Sequence, residues 1–381
     1  PWFDEGGYAN PAYNLLNYGH LGMPILYSQL EVWPGMDYYT YHMPPLSFVL
    51  QAGWFALFDF GVIQMRTLSA LFGVLLIISL YLFLRRISEN HWLALLAALI
   101  VATDYNITLW AADGRMDIMS AAWGFAAVAV FVNLREKHFG WAILLSQALV
   151  VASGLTHPAG ILYFLAIAAL ILFYDRSRLR LRHIALGGLP FVVGLLAWGQ
   201  YILQDFEAFQ THFLGNYGGR EDRIIALPLA ELSRYLSPAF GIGEHVEGVA
   251  RLKILQLIAY WGAAFTILLM PRIRAESKTG PLLILLVLFI LGTGIILSGA
   301  HLSYLVHIIP LYASLLAAVL WSAVRQSGML RLAAVGLTIL LVAVQAGGPI
   351  AKYYGQNAYQ TVYVPAVERI TELRQPGDVI I

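Results

Sequence analysis

The chain has 381 residues, of which 59% are hydrophobic and 12% are charged, and its formal net charge is +1. Its mean hydropathy of +0.70 is too high for a soluble domain, and the small net charge excludes a broad basic surface for nucleic acid. Without cysteine it has neither disulfides nor thiolate metal sites. These bounds predict an all-α polytopic membrane protein whose main solvent is the lipid bilayer.

Residues 1–65 are predicted to form an outer region with juxtamembrane helices. Residues 1–44 are rich in Tyr, Pro, Gly and Asn and hold no apolar run of spanning length, which indicates a polar loop. Residues 45–60 are apolar but are interrupted by polar residues such as Gln51 and Asp59. That pattern favours an interfacial helix that does not cross the bilayer.

The rest of the chain contains five clusters of Lys and Arg. They should all lie on the cytoplasmic side, because short cytoplasmic loops carry the excess of cationic residues. The clusters lie at residues 85–86, 135–138, 175–183, 272–278 and 325–331. Two passes between neighbouring clusters, one pass before the first and one after the last give about ten spans. The predicted transmembrane bundle therefore occupies residues 66–348.

The same count assigns the intervening segments to the outer face. They are the turn at 111–117, the region of Thr156, the loop at 204–251, the turn at 298–304 and the tail from 349 to 381. Residues 141–174 are short for two passes, which predicts two short helices turning near Gly154–Pro158. The final segment, 375–381, has the pattern of a turn entering a strand, so we expect the tail to begin a small exterior domain. Pro1 is not a natural start, so a segment upstream is also expected.

Two groups of charged residues on the outer face are candidates for chemistry. Asp4 and Glu5 are adjacent carboxylates, which suit activation of a hydroxyl nucleophile because one can accept its proton while the other orients a partner or a metal. The alternative is a solvated acidic pair. Asp113, Arg115 and Asp117 occupy a short turn between apolar helices, where charges pair, snorkel or serve a site. Simple neutralisation of an acid by Arg115 would also explain this trio.

Other outer polar residues could contact an anionic group. They are His42, Arg66, His157, His301, Tyr304 and His307. Arg66 precedes a long apolar helix, where its guanidinium could bind a phosphate in bidentate fashion or only snorkel to the interface. The histidine spacing matches no ligand motif, so no metal site is predicted, although a divalent cation is left open.

Several of these residues fall within longer motifs that resemble a known family. Phe3-Asp4-Glu5-Gly6-Gly7-Tyr8-Ala9, His42-Met43-Pro44-Pro45-Leu46 and the segment 65–73 follow one another in the order seen in the protein O-mannosyltransferase and aminoarabinose transferase group of GT-C glycosyltransferases. Later landmarks are similar as well: 114–117, 154–158 and 304–310. The resemblance covers the chain to about residue 325.

The resemblance implies a GT-C transmembrane bundle and a transferase that uses a polyprenyl-phosphate sugar, with no required cofactor. A hydroxyl of a protein, lipid or glycan would be the acceptor, and the reaction would be inverting. Asp4 matches the catalytic carboxylate, and Asp117, with Asp113 nearby, matches the second outer-loop acid. Arg66 and the polar groups near Tyr304 would face the lipid phosphate. The predicted catalytic set is Asp4, Glu5 and Asp117, and the predicted substrate-binding set is His42, Arg66, Asp113, Arg115, His157, His301, Tyr304 and His307.

Some positions depart from the family pattern. Many members of the group carry Lys directly before the proline pair, where this chain has Met43, and they often carry Lys or Arg where it has His157 and His301. Because histidine is largely neutral near pH 7, weaker or pH-dependent phosphate contacts are implied. The loop at 204–251 is too short for the lectin-like domain of the eukaryotic mannosyltransferases. We therefore expect a prokaryotic plasma-membrane enzyme whose active site faces the periplasm or the extracellular space.

Two other functions are compatible with parts of the same pattern. A transporter or flippase for a lipid-linked saccharide predicts polar residues across the bilayer midplane, whereas the acids here cluster at one boundary and no internal repeat is visible. A non-catalytic assembly subunit could retain the scaffold without activity, with Asp4 sealed from solvent and lipid.

Overall fold

The structure is a computed structural model, and it describes residues 3–24, 33, 35–215, 247–296, 302–355 and 364–373. All regular structure in these ranges is helical, which confirms the predicted all-α class. The first eight helices are α1 (Phe3–Tyr18), α2 (Leu46–Phe58), α3 (Val62–Ser88), α4 (His91–Thr103), α5 (Tyr105–Ala111), α6 (Met116–Leu134), α7 (Phe139–Thr156) and α8 (Ile161–Tyr174). The others are α9 (Leu181–Ile202), α10 (Glu247–Leu269), α11 (Pro271–Ser277), α12 (Gly280–Ile296), α13 (Leu305–Val324), α14 (Met329–Gly355) and α15 (Val364–Leu373).

The helix lengths fit a multi-pass bundle. Six described helices are long and apolar enough to cross a bilayer: α3, α6, α7, α9, α13 and most of α14. The pair α4 and α5 is bent by 64° and the pair α10 and α11 by 98°, and each pair supplies one further candidate span. Three shorter apolar helices, α2, α8 and α12, have 13, 14 and 17 residues, and passes by α8 and α12 would give the ten that the charge pattern predicts.

Local sequence explains where several of these helices begin and end. Arg85 and Arg86 occupy the last turn of α3, where cations interact favourably with the helix dipole. The side chain of Asn90 then caps α4 by accepting the backbone N–H groups of Trp92 and Leu93. Asp104 ends α4 and caps α5 in the same way, which produces the bend between them.

Helices α6 and α13 form the centre of the bundle, and most of their residues are buried. Small residues let neighbouring helices approach closely, as is usual in membrane bundles. Gly124 of α6 lies against Tyr163 of α8, where an added Cβ would come within 2.1 Å of the ring. Helix α9 buries only His183 and Gly194 and exposes large aliphatic side chains, as a lipid-facing helix should.

The secondary structure of the outer segments agrees with the prediction in part. Helix α2 confirms the helix expected at 45–60, and α7 and α8 turn at Pro158–Gly160, next to the predicted break. The prediction of a loop throughout residues 1–44 was wrong, because residues 3–18 form α1. Its own sequence is weakly apolar, but Ala9 and Ala12 pack against α2 and Met65, so tertiary contact stabilises this helix. The strand predicted at 375–381 lies outside the described residues.

Candidate active site

A short turn between α5 and α6 organises the polar residues at the outer end of the bundle. Helix α5 ends at Ala111, and α6 begins at Met116. Within the turn, the backbone N–H of Arg115 donates to the carbonyl of Asp113 at 2.7 Å. Gly114 lies so close to Met65 that an added Cβ would be 2.6 Å from the Met65 side chain. The turn therefore packs directly on α3, which carries Arg66 one residue later.

Glu5 joins α1, α3 and this turn. Its side chain is 2% exposed, and both of its oxygens accept hydrogen bonds from Arg66, from Nε and Nη2, at 2.7 Å each. The backbone N–H of Gly114 donates to Glu5 Oε1 at 3.1 Å. A bidentate, charge-assisted pair of this kind fixes geometry as well as adding energy. Glu5 therefore holds the first turn of α1 against the α5–α6 turn.

Asp113 is the second buried carboxyl group in this cluster, and it shares a hydrogen bond with Glu5. Two carboxyl groups can share a hydrogen bond only if one of them carries a proton. Burial, followed by the negative charge of Glu5, raises the pKa of Asp113 to about 7, against the opposing effect of Arg115 and Arg66. Within the described chain, Oδ1 of Asp113 has no hydrogen-bond partner. This carboxyl group can therefore change its charge near neutral pH.

Arg115 and Asp117 form a separate buried pair on the other side of the turn. Arg115 Nε donates to Asp117 Oδ2 at 3.0 Å, and the hydroxyl of Ser303 donates to Asp117 Oδ1 at 2.8 Å. The guanidinium carbon of Arg115 lies 5.4 Å from the ring centroids of both Tyr8 and Trp110. Ion pairing and cation–π contacts together hold a desolvated positive charge beneath the outer surface.

His157 and Tyr304 lie beside this pair. His157 caps the turn between α7 and α8, with Nδ1 accepting the backbone N–H of Ala159 at 3.1 Å. In the neutral ring the remaining proton is therefore on Nε2. The ring lies 5.3 Å from that of Tyr304 and close enough to Asp117 to interact electrostatically.

His307 and His42 occupy different surroundings. His307 lies deeper in α13, where Nδ1 and the hydroxyl of Tyr163 are 2.8 Å apart and both residues are fully buried. His42 stacks between Tyr8 and Trp33, with ring centroids 6.2 and 5.7 Å away. Burial and the neighbouring His212 lower the pKa of His42 to about 4, so the ring is neutral near pH 7.

The structure thus brings most of the predicted site residues to one region. The described members are Glu5, Arg66, Asp113, Arg115, Asp117, His157 and Tyr304, with His42 joined to them through Tyr8. The backbone of Asp4 belongs to α1, whereas its side chain lies outside the description, as does all of His301. In the part of the chain that the structure describes, no group of three His, Asp or Glu side chains is arranged to hold a metal ion.

Sequence reasoning missed a buried polar network around Asp104, at the bend between α4 and α5. Asp104 Oδ1 accepts two backbone N–H groups of α5, and Oδ2 accepts the hydroxyl of Tyr260 at 2.8 Å and the amide of Gln256. Thr103 and Tyr260 both bond Gln345 of α14. A lone acid within an otherwise apolar stretch was the signal that could have revealed it, since intramembrane acids need partners.

Comparisons with known proteins agree with this fold. Residues 42–198 match the family model described as dolichyl-phosphate-mannose-protein mannosyltransferase. The chain is similar to the structure of ArnT from Cupriavidus metallidurans bound to undecaprenyl phosphate, with 18% identity and a TM-score of 0.64 over 91% of this chain and 60% of that one.

A second similar structure is the Archaeoglobus fulgidus oligosaccharyltransferase in complex with Zn and sulfate. Its identity is 16% and its TM-score 0.55, over 90% of this chain and 49% of that one. The chain thus spans 60% of the ArnT chain and about half of the oligosaccharyltransferase. No curated protein sequence matches it significantly.

The resemblance carried by the sequence motifs is therefore confirmed. The chain is a multi-pass membrane protein that shares its fold with the ArnT and oligosaccharyltransferase structures, and its residues 42–198 match the dolichyl-phosphate-mannose-protein mannosyltransferase family model.

Proposed function

We propose that this chain belongs to a membrane glycosyltransferase that moves a sugar from a polyprenyl-phosphate donor to a hydroxyl of a protein, lipid or glycan. The observation that carries this proposal is the cluster at the α5–α6 turn, where Glu5, Arg66 and Asp113 meet at the outer end of the bundle. The matching family and the ArnT structure, which holds undecaprenyl phosphate, support a lipid-linked donor.

The contacts of Glu5 fix the position of the neighbouring backbone at Asp4. Its carboxylate is bound by Arg66 and by the backbone of Gly114, and consecutive Cα atoms are about 3.8 Å apart. The backbone of Asp4 therefore lies at the same turn as Asp113 and Arg115. Because both oxygens of Glu5 are engaged by Arg66, we assign Glu5 the role of positioning Asp4 and Arg66.

Asp4 then acts as the general base of an inverting displacement. Its carboxylate accepts the proton of the acceptor hydroxyl while the hydroxyl oxygen forms a bond to the anomeric carbon. The bond between that carbon and the phosphate oxygen breaks, and polyprenyl phosphate leaves with the electron pair. The proton transferred to Asp4 balances the negative charge that departs on the phosphate.

Arg66 is the described cation best placed to meet that phosphate. Its side chain is 41% exposed, and Nη1 makes no hydrogen bond within the described chain, since Nε and Nη2 are the atoms that bind Glu5. A guanidinium held on one edge can offer its other edge to a phosphate oxygen. Arg115 is buried and held by Asp117, so it contributes positive potential from beneath the site.

The distribution of charge supports an extracytoplasmic position for this site. The clusters of Lys and Arg lie at the opposite ends of α3 and α6 from Arg66 and Asp117. Under the positive-inside rule the carboxylate cluster faces the periplasm or the extracellular space. The short outer loops favour a prokaryotic plasma membrane.

Substitution of the proposed base tests this function. The purified full-length protein should transfer radiolabelled mannose from undecaprenyl-phosphate mannose to an acceptor hydroxyl. Asp4→Asn should reduce transfer by about 10²- to 10⁴-fold, because it removes the base but not the fold. Asp37→Asn, at an exposed acid of the same outer region, is the matched control and should leave transfer unchanged. Full activity of Asp4→Asn would reject the assignment.

One observation favours a second function, a transporter or flippase for a lipid-linked saccharide. The 64° bend between α4 and α5 makes a discontinuous helix around buried Asp104, a feature that transporters use at substrate sites. Movement of a fluorescent lipid-linked sugar across sealed proteoliposomes, lost in Asp104→Asn and retained in Asp4→Asn, would support that function. Binding of undecaprenyl phosphate without transfer or movement would instead favour a non-catalytic assembly subunit.

A further inference from the structure

A second charged region lies at the other end of the bundle from the candidate active site. It surrounds a cavity of about 690 Å³ between the ends of α3, α6 and α8 and the region of α11 and the start of α12. Arg86, on its wall, is 20 residues beyond Arg66 on the same helix, so the two are about 30 Å apart at 1.5 Å per residue. The cavity is therefore separate from the outer site, and it lies at the end predicted to face the cytoplasm.

Cations outnumber carboxylates on the cavity wall. The four cations are Arg86, Arg135, Arg274 and Lys278, and the two carboxylates are Glu89 and Glu136. An excess of positive charge beside a concave apolar surface attracts anions and raises their local concentration.

The cations differ in how firmly they are already held. Arg86 pairs with Glu136, and Lys278 Nζ lies 2.6 Å from Glu89 Oε2. Arg135 is bound by Asp175, outside the cavity wall, at 2.7 Å, and its guanidinium lies over the ring of Tyr174.

Of the four cations, Arg274 is the one that pairs with no carboxylate in the described ranges. Its Nη1 donates to the backbone carbonyl of Leu268 at 2.9 Å. Its charge is therefore available to an anion that enters the cavity.

The uncharged part of the wall suits a lipid better than a soluble anion. Phe173, which is 52% exposed, and the half-buried Tyr174 contribute apolar surface next to the cations. A phosphate head group could therefore lie among the cations while its acyl chains follow the apolar wall into the bilayer. Basic pockets between transmembrane helices on the cytoplasmic side are known to bind such head groups.

We propose that this cavity is a binding site for the phosphate head group of an anionic lipid in the leaflet opposite the candidate active site. Arg274 and Lys278 supply its main contacts, and the apolar wall holds the adjoining acyl chain. The site is distinct from the proposed transfer chemistry, and its occupancy does not depend on whether the outer cluster is catalytic.

Native mass spectrometry of the purified full chain tests the proposal. The protein is exchanged into micelles containing equal amounts of phosphatidylglycerol, which carries a phosphodiester charge, and neutral phosphatidylcholine. The wild type should retain phosphatidylglycerol in preference to phosphatidylcholine. Arg274→Gln and Lys278→Asn should each reduce that preference about fivefold, in line with the contribution of one cation at a membrane surface. Asparagine is chosen at 278 because Lys278 has a φ of 52°, which Asn tolerates.

The control is Arg272→Gln, in the same short helix. Arg272 is 90% exposed, pairs with Glu276 and does not line the cavity, so its substitution should leave lipid retention unchanged. Equal retention in the wild type, Arg274→Gln and Lys278→Asn would overturn the proposal. If inorganic phosphate alone raised the melting temperature as much as phosphatidylglycerol did, the ligand would be a soluble anion and the assignment to a lipid would be wrong.

Discussion

The two ends of α3 and α6 carry the same kinds of charged residues in opposite physical settings. At the outer end, the side chains of Glu5 and Asp117 are 2% and 1% exposed, and guanidinium groups bind them. At the other end, Glu136 and Glu89 are 54% and 68% exposed and pair with Arg86 and Lys278. Burial, and not residue type, separates these pairs. The exception at the inner end is Asp175, which is 2% exposed and is bound by Arg135 and Arg178 behind the cavity wall.

This difference determines what each region can do. A buried ion pair cannot lose one partner cheaply, so the outer cluster has one fixed arrangement, as a site of precise chemistry requires. An exposed pair contributes little and is screened by salt, so an incoming anion can replace a carboxylate at the other end. The outer cluster is therefore suited to orienting reactants, and the cavity to exchanging ligands.

The largest effect on stability is expected from breaking the buried pair. Asp117→Leu leaves the charge of Arg115 without its carboxylate and should cost about 3–5 kcal/mol. The double variant Arg115→Met with Asp117→Leu should recover part of that loss, because it removes both charges. Melting temperatures in detergent, followed by intrinsic fluorescence, measure both. A single variant that melts like the wild type would show that the pair is not as desolvated as its burial indicates.

An intermediate effect should appear as a pH dependence of stability. Because the pKa of Asp113 is raised from 3.8 to about 7 in the folded protein, the folded state keeps a proton that the unfolded state has released. Stability should therefore fall as pH rises through this window and level off above about pH 7. Asp113→Asn mimics the protonated form, so its melting temperature should fall less over the same range. An unchanged pH profile in this variant would contradict the shared proton between Asp113 and Glu5.

The smallest effect is expected at the exposed end. Glu136→Gln removes the partner of Arg86 and should change stability by less than about 1 kcal/mol. Even that change should disappear in about 1 M salt, where charges are screened within a few ångströms. Melting curves at low and high salt check this, with Asp117→Leu as the contrasting variant. A loss at Glu136 as large as that at Asp117 would remove the distinction between the two ends.

The sequence by itself determined the class of the molecule and predicted its arrangement in the membrane. Apolar runs separated by cationic clusters predicted a helical bundle of about ten passes, because lipid excludes unpaired backbone groups and charges. The same reasoning located the turn at 111–117 and the break between α7 and α8. It also brought Asp113, Arg115 and Asp117 to one boundary, since they are neighbours in sequence.

The tertiary structure alone decided how distant residues combine. Nothing in the sequence pairs Glu5 with Arg66, or Ser303 with Asp117, because each pair depends on the packing of separate helices. For the same reason α1 was predicted as loop: it is stabilised by contact with α2, and its own sequence gives only a weak helical signal. The pattern of apolar and charged residues along a segment indicates whether that segment faces lipid, water or protein. The partner of a buried charge depends instead on which helices pack together, and that is decided only in the tertiary structure.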